Sequence, residues 1–87
     1  MLAIKTATKS ALNLLLDYVL DNNLDVSVQL HRSLEDGYCS VWFSPCNFEL
    51  ELAIVPAPTT EEEIPEFELA IARIITNYEK QCGADNI

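Results

Sequence analysis

Residues 24–55 read LDVSVQLHRSLEDGYCSVWFSPCNFELELAIV, and the fold is decided there. Three runs alternate between apolar and polar positions. Leu24, Val26, Val28 and Leu30 alternate with Asp25, Ser27, Gln29 and His31. Cys39, Val41 and Phe43 alternate with Tyr38, Ser40, Trp42 and Ser44. Phe48, Leu50, Leu52 and Ile54 alternate with Glu49, Glu51, Ala53 and Val55. Successive side chains of a strand point to opposite faces, so each run has one apolar side. The pattern predicts an antiparallel sheet buried on one face. Asp36-Gly37 predicts a four- to five-residue or bulged hairpin between the first two strands, because Gly adopts positive φ without a steric penalty. Ser44-Pro45-Cys46-Asn47 predicts the second turn, with Pro45 stopping the ladder near Ser44.

Outward from the strands, both flanks read as helices. Residues 1–7 are expected to be a lead-in and residues 8–22 a helix, with Leu12, Leu15, Leu16, Val19 and Leu20 on one stripe. Thr6 or Thr8 is expected to cap its start and Asn22-Asn23 to end it. After Pro56-Ala57-Pro58 a second helical pattern spans residues 60–81. Thr60 and Glu63 have capping-box spacing. Pro65 costs a hydrogen bond inside a helix but not at its start, so a 3₁₀ turn over 60–64 is expected before the regular helix. Its core stripe is Phe67, Ala70, Ile71, Ile74, Ile75 and Tyr78, with Leu69 turned away. Residues 83–87 are expected to fray. The chain thus reads as one α+β domain, a two-layer sandwich of order αβββα with both helices on one sheet face and the other face open.

Eighty-seven residues carry 14 acidic and five basic side chains, a net charge of −9. Nucleic acid and anionic membrane are repelled by such a surface, and a basic protein is attracted. No run approaches the ~20 apolar residues of a membrane span. The first residues lack the apolar core of a secretory signal, and Cys39, Cys46 and Cys82 are odd in number with no CxxC spacing. Reduced thiols in the cytoplasm are expected. A domain this small buries only about 60% of its unfolded surface, so a partner or second copy would add to its stability.

The residues that carry chemistry are few. His31 is the only histidine, and zinc needs three or four Cys or His ligands. Cys39 falls on the opposite face, so neither a metal site nor a Cys–His nucleophile is expected. Glu49 and Glu51 share a face but lack the cleft that acid–base work requires. No cofactor motif is present, and no enzyme is expected. Glu61, Glu62, Glu63, Glu66 and Glu68 crowd the start of the last helix. Carboxylates favour the positive end of a helix, and five in eight residues also make a negative patch. Trp42 and Tyr38 fall on the open face, where aromatic side chains anchor interfaces.

The helix–three strands–helix order over residues 8–81 resembles the double-stranded-RNA-binding domain. That family meets RNA phosphates with lysines at the start of its second helix. The matching positions here are Glu61 to Glu63, of opposite charge, so no direct nucleic-acid binding is expected. The order also resembles the first half of type III secretion chaperones, without their further strands. The function expected is a non-enzymatic acidic protein-binding module. Its sharper form is an inhibitor or nucleic-acid-mimicking decoy, of the kind mobile elements encode, acting on a basic nucleic-acid-processing protein. Trp42, Tyr38, Glu49, Glu51, Glu61, Glu62, Glu63 and Glu66 would meet the partner. The alternative is a small dimeric chaperone holding a client segment on the open sheet face. A homodimer or partner contact covering Trp42 fits either.

Overall fold

The computed structural model describes residues 2–47 and 49–83. Its elements are α1 (Leu2–Asp21), β1 (Val26–Ser33), β2 (Tyr38–Pro45), β3 (Ala53–Pro56), a 3₁₀ turn (Glu61–Glu63) and α2 (Ile64–Gly83). The three strands form one antiparallel sheet in the order β1-β2-β3. Both helices cover one face of it, giving the α+β sandwich that the alternation predicts. The core joins Ala11 and Leu15 of α1, Val41 and Phe43 of β2, and Phe67, Ile71 and Ile74 of α2. Val26 and Val28 of β1 and Ala53 and Val55 of β3 pack around it.

α1 starts at Leu2, so the expected lead-in over residues 1–7 is helical from its second residue. Ala3, Ala7 and Ala11 are strong helix formers, and no Pro or Gly interrupts them. Thr8 is therefore inside the helix, where its hydroxyl donates to the Ile4 carbonyl (2.9 Å) instead of capping. The buried stripe is also turned from the expected one. Ala11 and Leu15 are buried, while Leu16 is 42% and Leu20 75% exposed. The helix ends as Asn22-Asn23 predicts. Asn23 has φ +52°, Leu24 N–H donates to the Val19 carbonyl (3.0 Å), and Asn23 N–H to that of Leu20 (3.3 Å). These two bonds satisfy carbonyls that the last turn leaves without helical partners.

The β1–β2 loop is residues 34–37, with Gly37 at φ +66°. Asp36 N–H donates to the Ser33 hydroxyl (3.4 Å) at its base. The β2–β3 connection departs from the tight turn expected at Ser44–Asn47. β2 extends through Pro45, which faces Val26. Asn47 then takes the chain out of the ladder. Its side-chain oxygen accepts Glu49 N–H (2.9 Å) and its carbonyl accepts Leu50 N–H (3.1 Å). Glu51 N–H donates to Gln81 Oε1 of α2 (3.0 Å). Pairing resumes only at Ala53, opposite Phe43.

This shortens β3 to four residues and inverts its faces. Ala53 and Val55 lie across from the buried Phe43 and Val41, so they point to the core, and Ile54 points to the open face. The register expected from the alternation was one residue out, because Glu49-Leu50-Glu51-Leu52 mimics a strand but forms a loop. Phe48 and residues 84–87 lie outside the described residues. At the other end of β3 the chain enters α2 through the 3₁₀ turn, so Pro65 falls in the first turn of the helix, where its missing donor removes little.

Two tyrosines tie the layers together. Tyr78 packs edge-on to Phe43 (5.4 Å, 78°) and to Tyr18 (6.4 Å, 88°). Burial, then a hydrogen bond with the Cys82 thiol, pushes the Tyr78 hydroxyl up to about 12. Burial and the neighbouring Glu79 carboxylate raise that of Tyr18. Cys46 is exposed at the end of β2. Its thiol pKa is raised, first by a hydrogen bond to the Asp25 carboxylate. Thiolate, not access, therefore limits its reactivity. Iodoacetamide should label Cys46 slowly at neutral pH for so exposed a thiol, and Asp25→Asn should speed it. Equal rates in the two proteins would show that the Asp25 contact does not hold the proton.

Candidate protein-binding surfaces

The residues expected to meet a partner fall on three separate parts of the molecule. The first is the open face of the sheet. Trp42 sits at its centre, opposite Gln29 on β1 and Ile54 on β3. Its indole stacks on the His31 imidazole, 4.1 Å between centroids and 17° between planes. Its Nε1–H donates to the Ser40 hydroxyl (2.8 Å). Ser40 is fully buried, flanked by His31 and Pro56 on the neighbouring strands. Gln29 Nε2 donates to Ser27 Oγ (3.0 Å), which leaves Gln29 Oε1 to accept His31 Nε2–H (2.8 Å). The face is thus a polar row, Ser27–Gln29–His31, with one half-buried indole against it. Tyr38 lies on the same side but two alternate positions away, about 13 Å along the strand, and stays exposed. Ala53 and Val55, expected beside Trp42, are on the other face, and Ile54 and Pro56 take their place.

The second part is the start of α2, where Glu61, Glu62, Glu63 and Glu66 are brought together as expected and all are exposed. Glu63 differs from the others. Its Oε1 accepts Thr59 N–H (2.7 Å), Thr59 Oγ–H (2.7 Å) and Thr60 N–H (3.2 Å). These bonds lower its pKa, the Thr59 backbone bond most and the Thr59 hydroxyl next. A carboxylate with a lowered folded pKa adds stability above its unfolded pKa and loses it as the pH falls through the folded value. Glu63→Gln should therefore unfold more easily at neutral pH than the wild type, and the gap should close in acid. A gap independent of pH would mean that charge at Glu63 is not what holds the turn.

The third part is the β2–β3 connection, with Glu49 and Glu51 exposed in it. They do not share a strand face as expected, since neither is in a strand. Glu51 lies beside Gln81 near the end of α2, and Glu63 and Glu66 lie at its start. A 20-residue helix is about 30 Å long, so the two acidic groups flank opposite ends of one edge of the molecule.

Between them runs a groove that the sequence did not reveal. One cleft of about 310 Å3 is lined by Glu51, Ala53, Val55, Ala70, Arg73 and Gln81, among others. A second, of about 480 Å3, is lined by Val55, Pro56, Glu63, Phe67, Ala70 and Arg73 and includes Glu66 and Leu69. Val55, Ala70 and Arg73 border both, so the two clefts lie side by side between β3 and α2. The small Ala70 side chain leaves room where a larger one on the stripe would fill it. That signal was present, but only the inverted register of β3 places Val55 opposite it. Among the described residues, no group of three or more His, Cys, Asp or Glu side chains is placed to hold a metal ion, and no helix is long and apolar enough to cross a membrane. Comparison with known proteins finds no matching family, no matching curated protein and no matching solved structure.

Proposed function

We propose that this chain is a non-enzymatic module that binds a basic protein in the groove between β3 and α2. In its sharper form it is an inhibitor or nucleic-acid-mimicking decoy for a nucleic-acid-processing protein, working in the cytoplasm. The observation that carries the reading is the groove itself. Phe43, Val55, Phe67 and Ile74 line its apolar part, Arg73 borders its middle, and carboxylates stand at both ends, Glu51 at one and Glu63 and Glu66 at the other. An occupant with an apolar centre and basic ends is complementary to it. The net charge of −9 would speed the encounter. Reduced thiols at Cys39, Cys46 and Cys82 suit a reducing compartment.

Holding a client on the open sheet face is the second reading. Exposed Ile54 and Tyr38 favour it. The stack of Trp42 on His31 and its bond to Ser40 disfavour it, because the anchor side chain is already partnered.

Capture of partners from the native host at low and high salt tests the choice. A partner held by the acidic groove should be lost as salt rises. With that partner purified, the triple variant Glu61→Gln, Glu62→Gln, Glu66→Gln should lower the association rate by about tenfold or more while leaving the fold intact. Glu63 is kept because it caps the turn. An unchanged rate and affinity would remove the support for a charge-driven partner.

A further inference from the structure

The two edges of the sheet are not alike, and the hydrogen-bond pattern shows which one can take another strand. In an antiparallel pair, alternate residues exchange both backbone bonds with the partner, and the residues between them turn theirs away. Cys46 N–H donates to the Asp25 carbonyl (3.1 Å), so Asp25 is a bonded position. Ser27, Gln29, His31 and Ser33 follow at alternate positions, opposite Ser44, Trp42, Ser40 and Tyr38. Val26 faces Pro45, which has no N–H to exchange, as this parity requires. Val26, Val28, Leu30 and Arg32 therefore direct their N–H and C=O groups to the free edge of β1. Among the described residues, no turn, cap or side-chain bond reaches those groups.

The edge of β3 is closed by contrast. Ala57 N–H donates to the Cys39 carbonyl (2.9 Å), so Ala53, Val55 and Ala57 turn toward β2. Only Ile54 and Pro56 of β3 turn outward, and Pro56 has no donor. Proline on an edge is a usual means of blocking strand addition. The eight residues of β1 include no proline, and Arg32 is their one charged side chain.

We propose that the β1 edge pairs with the β1 edge of a second copy of this chain, antiparallel about a two-fold axis at Gln29, to make a continuous six-stranded sheet. That register bonds Val28 to the copy's Leu30 and Val26 to its Arg32, so every outward-turned residue of β1 finds a partner. It is self-complementary, as a two-fold contact must be. On the helix side it sets Val28 against Leu30, which is 44% exposed in the single chain. Exposed Leu16 and Leu20 lie one turn apart on α1, which packs on β1. On the open side Gln29 meets its copy and Ser27 meets His31, extending the polar row across the axis. Charge also favours this edge for like-with-like contact. Two chains of net charge −9 repel, and β1 brings no carboxylate to the contact. The β3–α2 grooves stay free at the two far ends of the joined sheet.

Sedimentation of the wild type over a concentration series, in low and high salt, reads the association. A dimer is expected, and it should tighten as salt screens the like charges. This is opposite to the salt response of a basic partner in the groove, so the two ideas fail separately. Leu30→Lys places a charge on an already exposed edge position and should raise the dimer dissociation constant about tenfold or more, with an unchanged circular dichroism spectrum. Leu34→Lys, in the loop beyond the strand, should leave it unchanged. Gln29→Cys places two thiols at a directly opposed, non-bonded pair, where Cα atoms lie about 4.5 Å apart. Mild oxidation should give a 29–29 disulfide, found by peptide mass mapping. A wild type that stays monomeric at every concentration and salt overturns the proposal. So does a dimer that survives Leu30→Lys, and so does one dissociated by Trp42→Ala but not by Leu30→Lys, which would place the contact on the open face.

Discussion

Phe43→Ala should destabilise the domain by about 3–5 kcal/mol, enough to leave a large part of it unfolded. Phe43 is the largest of the fully buried side chains. It stands on the middle strand, with both helices over it and Tyr78 edge-on to its ring. Removing the ring leaves a cavity lined by elements that cannot all move in. It also loses an aromatic pair worth about 0.5–1.5 kcal/mol. A chain of this length has a total stability of only about 4–13 kcal/mol. Urea unfolding followed by circular dichroism measures the loss. Leu69→Ala, on the exposed side of α2, should shift the same curve by less than about 1 kcal/mol. A Phe43→Ala cost no greater than that of Leu69→Ala would mean that the core is not centred on β2.

A second pair of variants sets neighbours on β3 against each other. Val55→Asp should cost about 3 kcal/mol or more, and Ile54→Asp less than about 1 kcal/mol. Val55 lies across from the fully buried Val41 and packs on the core, so its replacement forces a carboxylate into apolar surroundings. Ile54 is 43% exposed on the other face, where a carboxylate keeps its water. Thermal unfolding of the two variants separates them. The reverse order would return β3 to the register that simple alternation suggests.

That reversal locates where the sequence is legible. β1 and β2 are long enough to show their period, and Val41 and Phe43, read as apolar on β2, are buried at its centre. Ser40, read as polar, is buried there too under Trp42, and Cys39 is only half-buried. α2 is legible for the same reason, since Phe67, Ile71 and Ile74 repeat at helical spacing and are buried. β3 is not legible, because four residues hold only two inward positions and the loop before it alternates as well. What fixes its register is the Asn47 turn and the Glu51–Gln81 bond, contacts between residues that no period relates. α1 is half legible. Its leucines outnumber the places that the core offers, so Leu16 and Leu20 fit the stripe yet stay outside it. Of the residues expected to meet a partner, the glutamates at the start of α2 keep their grouping because they are neighbours in the chain. Glu49 and Glu51 lose their strand face. Trp42 keeps its face, but its partners His31 and Ser40 give it a satisfied setting that alternation does not reveal. The groove needs β3 and α2 together, so no local reading contains it.

Trp42 is the chain's one tryptophan, and its place on the middle strand makes it a built-in optical probe. Its emission has a single source, on the side of the sheet away from the helices. A ligand settling between β3 and α2 sits behind that light, and should leave its colour nearly unchanged. A client laid over the open face would dry the indole and shift the emission to the blue. Strand pairing at the β1 edge would act through its neighbour, since Gln29 and His31 lie on the strand that would be joined. One fluorescence spectrum, taken before any mutation is made, therefore separates occupants that a binding curve would report alike.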